Sequence, residues 1–154
     1  MSLSNPKETT LRGLVFDKKG RILVCYYKKY KTYMSPGGHL DEGEELLHAL
    51  KREMWEEVGA TKVKVLEHIM DIYTVPDDTL SKYYLIDIDK VDLKNRELEP
   101  GEIKDGLTLR WSKIEDIVAH NNIEYYQALK NDEGKPYMIK REIEFYKFVW
   151  EKYC

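Results

Sequence analysis

The chain is poor in the residues that would staple, thread or repeat it. It has only two cysteines, Cys25 and Cys154, so no disulfide framework can be built. Neither has a Cys or His neighbour at ligand spacing, which excludes a zinc site. Cys25 falls in an expected strand and reads as a small buried hydrophobe, and a reducing cytoplasm follows as the default compartment. No apolar run approaches the roughly 18 residues of a transmembrane helix, so no membrane partner is expected. The opening MSLSNPKETT is polar and lacks the apolar centre of a secretory signal. Positive charge is not in excess either. The formal net charge of −3 argues against a nucleic-acid coat protein, which needs a basic face. No repeat, low-complexity block or linker stands out.

What is present is an ordinary globular composition, 42% hydrophobic and 34% charged over 154 residues. That length suits one domain, 1–154, with a real core. Leu11 to Phe16 and Arg21 to Tyr27 read as strands, joined as a hairpin by the turn chemistry of Asp17-Lys-Lys-Gly20. The next stretch, Tyr26 to Tyr33, interleaves four tyrosines with three lysines. Lys28 and its neighbours suit phosphate contacts and Tyr33 suits stacking on a base. Equally, the stretch reads as an edge strand whose lysines discourage aggregation. Lys62 to Tyr73 and Leu80 to Asp89 read as strands around a turn at Pro76-Asp77-Asp78. An acidic, irregular piece from Leu93 to Gly106 precedes a strand at Leu107 to Trp111. Ser112 to Glu115 has the form of a capping box, opening a short helix through Ile117. Ile139, Ile143, Tyr146, Trp150 and Tyr153 recur at helical spacing, giving a tail that closes the core or makes a homodimer contact.

The chemistry concentrates between Gly37 and Ala60, which reads GGHLDEGEELLHALKREMWEEVGA. Leu47, Leu50, Met54 and Val58 form an apolar stripe for burial against a sheet. At about 100° per residue, Glu53, Glu56 and Glu57 share the adjoining stripe. From Gly38 to Ala60 seven acids face two bases. Like charges one turn apart repel by a few tenths of a kcal/mol per pair. A hard divalent cation held by carboxylate oxygens, with its open side to phosphates, turns that repulsion into attraction. The plain alternative is a solvated acidic face. Gly37 and Gly38 let the backbone turn and approach a ligand closely, and Gly59 suits a helix C-cap.

This stretch resembles the Nudix box, GX5EX7REUXEEXGU with U aliphatic. Gly38, Glu44, Arg52-Glu53-Met54, Glu56-Glu57 and Gly59 fall in register over 23 residues, and Ala60 holds the last aliphatic place. The resemblance implies an α/β (α+β) fold, a mixed β-sheet sandwiched between helices. It implies hydrolysis of a nucleoside diphosphate linked to another group, with Mg2+ or Mn2+ as cofactor and a small-molecule nucleotide as partner. By the same resemblance the metal ligands are Glu53, Glu56, Glu57 and the Gly37 carbonyl. Glu44 and Arg52 brace Glu53, which is the expected general base, with Glu57 or a loop acid as the alternative.

The family often adds an acidic ligand from a loop. Asp105 is the preferred residue here and Glu102 the second, against a solvated acidic loop as the plain reading. Gly38 and His39 are expected at the phosphates, His39 equally as a surface histidine. Trp55 and His48 are read as non-catalytic. A nucleoside triphosphate, ordinary or oxidised, is the expected substrate. ADP-ribose is the runner-up, because Pro76 lies 16 residues beyond Ala60. A nucleotide-sensing module without catalysis is the rival of another class. Isomerisation of an isoprenoid diphosphate would want a further active-site cysteine and acid.

Overall fold

The computed structural model describes residues 5–93, 97–98, 100–104 and 106–154. These form two compact units, Met1–Val15 with Pro36–Glu99 and Phe16–Ser35 with Pro100–Cys154. The expected mixed α+β fold is present, with its strands divided between a four-stranded and a three-stranded sheet.

In the first unit, strand β1 (Glu8–Leu14) runs in the interior of the larger sheet. The smaller sheet of the second unit is centred on β2 (Ile22–Tyr27), flanked by β3 (Thr32–Met34). Back in the first unit follow β4 (Gly37–His39), helix α1 (Leu46–Val58), β5 (Val63–Thr74) and β6 (Thr79–Ile88). The sheet order is β4-β1-β6-β5. Strand β1 lies antiparallel to β4 and parallel to β6, while β5 and β6 form a long antiparallel pair with two register shifts. The expected turn at Pro76-Asp77-Asp78 joins them, with Asp78 in the left-handed region at φ 50°. The Thr74 hydroxyl donates to Asp77 Oδ1 at 2.5 Å and Tyr73 Oη to Asp78 Oδ1 at 2.5 Å.

Helix α1 packs on β1 and β4 through Ala49, Leu50, Met54 and Val58, none of which is exposed. Each large apolar side chain so buried contributes about 1.5–3 kcal/mol. Gly13 lets the helix sit close over β1, since a Cβ there would stand 2.7 Å from Ile86 Cδ1 and 3.1 Å from Met54 Sδ. Leu47 does not join this face and is 44% exposed. The buried stripe is instead completed by Glu53 and Glu57. Gly59, at φ 76°, receives the end of the helix and donates its N–H to the Trp55 carbonyl at 2.9 Å.

The second unit continues with α2 (Pro100–Lys104), β7 (Leu107–Ser112), α3 (Ile114–Asn131) and α4 (Pro136–Tyr153). The sheet order is β3-β2-β7, all antiparallel. The hairpin expected from β1 into β2 does not form. Beyond an isolated Phe16–Ile22 bridge, each strand finds its partners elsewhere. The Asp17–Gly20 turn is real, closed by Asp17 N–H to the Arg21 carbonyl at 2.9 Å. Nor does the Ser112–Glu115 capping box form: Lys113 is the N-cap, without a side-chain cap bond. The helix after it runs 18 residues, not a few.

Asn121 explains that helix's position. Its Oδ1 accepts from the Tyr33 N–H at 3.0 Å and its Nδ2 donates to the Tyr33 carbonyl at 2.9 Å. A single amide thereby pairs with a β3 backbone unit. On α4, Ile139, Ile143, Phe145, Tyr146 and Val149 are buried, whereas Trp150 is 44% exposed and lies off the core face. Glu142 is fully buried, accepting from the Ser35 N–H and hydroxyl, both at 2.7 Å. No helix among the described residues is long and apolar enough to cross a membrane.

Candidate active site

The candidate site of the first unit is assembled by β4 and α1. Pairing of Arg12 with Gly37 and Leu11 with Gly38 fixes β4 against β1. Gly37 has φ +150°, and any Cβ there would collide with the Leu11 carbonyl, so only glycine fits. At Gly38 a Cβ would lie 2.5 Å from the Glu53 carboxylate. The absence of a side chain is what makes room for that carboxylate. Glu57, fully buried, accepts the Gly37 N–H at 2.5 Å through Oε1. One turn apart on α1, Glu53 and Glu57 are thus both held against Gly37 and Gly38, which form part of strand β4 where the sequence suggested a turn.

Arg52 ties the remaining acids together. Its Nε and one terminal nitrogen donate to Glu44 Oε2 and Oε1 at 2.8 and 2.9 Å, the two-point grip that suits a planar guanidinium. That terminal nitrogen also donates to the His39 carbonyl at 2.9 Å. The other reaches Glu53 Oε1 at 3.0 Å and Glu56 Oε2 at 3.2 Å. Glu44 further accepts the Asp41 N–H at 3.1 Å and meets His48 Nδ1 at 2.8 Å. Arg52 holds the Glu44 carboxyl down to about 2. In return Glu44, ahead of Glu53 and Glu56, raises the Arg52 guanidinium further above its usual range.

Glu44, Arg52, Glu53, Glu56, Glu57, Gly37 and Gly38 therefore come together in one place. His39 contributes its backbone, while its imidazole is well exposed and stands 3.3 Å from Glu8. Lys28 and Tyr33 belong to the second unit. Lys28 is exposed, the Tyr33 ring packs edge-on with His120, and the Tyr33 hydroxyl accepts from Arg110 at 3.2 Å. Glu102 sits on α2 of that unit, and Asp105 lies outside the described residues. His48 lies off the Glu53 stripe, as expected, but its bond to Glu44 was missed. The i,i+4 spacing of Glu44 and His48 was the signal for it.

Among the described residues no three carboxylate, imidazole or thiol groups converge as a ready metal cage. Arg52 stands between Glu53 and Glu56, and Glu57 is turned onto Gly37. The donor set still fits Mg2+ or Mn2+. Its oxygens are hard, Glu53 and Glu57 are almost fully withdrawn from solvent, and Mg2+ takes only one or two carboxylates beside waters and phosphates.

A family model described as the NUDIX domain matches residues 7–139. The chain belongs to the Nudix family. An RNA pyrophosphohydrolase from Bartonella bacilliformis is 30% identical over 44% of this chain and 46% of its own. An 8-oxo-dGTP diphosphatase from Buchnera aphidicola is 34% identical over 66% of this chain and 75% of its own. A NUDIX hydrolase from Nitrosomonas europaea has the same fold, with a TM-score of 0.61 at 20% identity over 77% of this chain and 79% of that one. The chain spans less than half the length of the Bartonella relative. Strand β4, α1 and the segment between them carry the Nudix box.

Proposed function

We propose that this Nudix chain is a metal-dependent pyrophosphohydrolase acting on a nucleoside diphosphate linked to another group. The observation that carries the reading is the pair of buried carboxylates, Glu53 packed over Gly38 and Glu57 bonded to the Gly37 N–H. Two acids withdrawn from water on one helix face are costly. A divalent cation and its phosphate ligand are the chemistry that repays them.

Glu53, Glu56, Glu57 and the Gly37 carbonyl would hold Mg2+ or Mn2+, which when bound supplies charge neutralisation for the diphosphate and activation of water. The chain's own residues do the rest. Glu53 is the base that takes the proton from the attacking water. Arg52 orients it by donating to Oε1 at 3.0 Å, and Glu44 orients Arg52 by the two-point grip. Gly37 and Gly38 let Glu57 and Glu53 close on the backbone of β4.

A nucleoside triphosphate, ordinary or oxidised, is the favoured substrate, supported by the likeness to the 8-oxo-dGTP diphosphatase over three quarters of its length. The 5′-triphosphate end of an RNA is the second reading, supported by the RNA pyrophosphohydrolase relatives. ADP-ribose gains nothing from Pro76, which the β5–β6 turn accounts for. The test is phosphate and pyrophosphate release from a nucleotide panel, including a 5′-triphosphorylated oligoribonucleotide, with Mg2+ and with Mn2+. Glu53→Gln and Glu57→Gln are each expected to lose a hundredfold or more in rate with an unchanged circular dichroism spectrum. Near-native rates in both variants would sink the reading.

A further inference from the structure

The second unit holds a cavity of about 410 Å3 that no Nudix-box residue lines. Its lip is the turn between β2 and β3, and its far wall is the junction of α3 and α4. The lip is pinned in place. The Thr32 hydroxyl donates to the Tyr30 carbonyl at 2.7 Å, and His120 Nε2 bonds the Lys31 carbonyl at 2.7 Å. Lys31 itself sits in the left-handed region at φ 51°, a conformation a non-glycine residue keeps only where its surroundings hold it there.

The floor is apolar, with Met34 and Ile139 each 5% exposed and Met138 beside them. The α3 wall adds the amide groups of Gln127 and Asn131. Lys29, Lys31 and Lys135 stand around the rim, outnumbering the two lining acids, Glu124 and Glu133. The volume falls in the range of small-ligand sites, roughly 300–1,000 Å3. Methionine thioethers make favourable contacts with aromatic rings. Lysines hold phosphate as point charges.

We infer that this cavity binds a mononucleotide-like ligand, its ring on Met34 and Met138, its polar edge toward Gln127 and Asn131, and its phosphate toward the lysines. The site is independent of the proposed hydrolase chemistry, so failure of one leaves the other standing.

The probe is AMP in metal-free buffer, followed by the methyl signals of Met34 and Met138 in the full-length protein. Saturable shifts at both methyls are expected, retained in Glu57→Gln and abolished in Ala128→Trp, whose indole would obstruct the cavity from the α3 wall. Lys135→Glu, a substitution on an exposed side chain, is expected to weaken binding tenfold or more with the fold intact. No saturable shift at either methyl overturns the inference. So does an unchanged response in Lys135→Glu, or the same shift with inorganic phosphate alone, because recognition of the ring would then be absent.

Discussion

At the scale of single residues, Gly38 offers the most specific test, because its space is taken by one functional side chain. No positive φ is required of it, so alanine introduces no backbone strain. Its methyl would instead stand 2.5 Å from the Glu53 carboxylate, and something must move. What moves is the far end of the flexible Glu53 side chain, so the change falls on the carboxylate's position more than on stability. Gly38→Ala is therefore expected to lower catalytic turnover far more than Gly43→Ala, which has open space around its Cβ position. Gly43→Ala should lose stability only through its own left-handed backbone, at φ 76°. Parallel rate and melting measurements on the two variants check this. Equal effects on turnover would mean that Glu53 is not seated where the structure has it.

Glu44 gives a second test, through pH. Its folded value, held by Arg52 near 2, lies below the ordinary carboxylate range, so the unfolded state takes up the proton first. The stabilisation is fully present above about pH 4.5 and is lost as pH falls toward about 2. Glu44→Gln should flatten stability over that interval and cost about 1.5–3 kcal/mol near neutrality, the usual worth of hydrogen bonds to a charged group. Denaturant titrations from pH 2 to 7 on both proteins measure it. An acid limb of unchanged slope in the variant would assign the loss to other carboxylates.

At the scale of elements, the sequence was legible where one stretch supplied both a period and its boundaries. Gly37–Gly38, the stripe of α1 and Gly59 announced turn, helix and cap together; the structure has the helix and its cap, but the two glycines lie in strand β4, paired with β1. It was illegible where a polar residue took a core position. Leu47 looked like the start of the apolar stripe, yet the buried face passes through Glu53 and Glu57, which hydrophobicity alone assigns to solvent. Helix α3 suffered the same way. Ile114, Ile117 and Val118 began a helical period, and Asn121, the next member of that face, broke it to the eye while being fully buried.

The capping-box motif then drew attention to Ser112, although the helix begins without it. The Asp17–Gly20 turn misled differently: its local chemistry is right, but a turn cannot say which strands pair beyond it. Asn121→Leu tests the account of α3. It keeps the volume and improves the apolar pattern, but strips the Tyr33 N–H and carbonyl of their partners. Each buried unsatisfied group costs about 1–3 kcal/mol. Both bonds are part-buried, so a loss of up to about 2–6 kcal/mol is expected, read by denaturant unfolding, with faster amide exchange at Tyr33. A neutral or stabilising result would mean that the amide clamp contributes nothing.

For the whole molecule, the proposed metal site has a thermodynamic signature separate from catalysis. The chain's net charge is only −3, so general screening by salt has little to relieve. The acids of α1 and the segment leading into it are a local excess, with Arg52 bridging Glu44, Glu53 and Glu56. An ion that binds the native state and not the unfolded chain raises stability by mass action, about 2.7 kcal/mol at a hundredfold excess over its dissociation constant. Mg2+ is therefore expected to raise the melting temperature in a saturable way, and NaCl at matched ionic strength is not. Glu57→Gln sharpens the contrast. Its amide oxygen can still accept the Gly37 N–H, so the fold keeps that bond while the site loses a charge. The ion-free variant should melt no lower than the ion-free wild type, because a buried charge has been removed. Its Mg2+-dependent rise should shrink or vanish. If Mg2+ stabilised both proteins alike, the cation would be acting elsewhere on the molecule, and Glu57 would have to be read as a structural acid that ties α1 to β4.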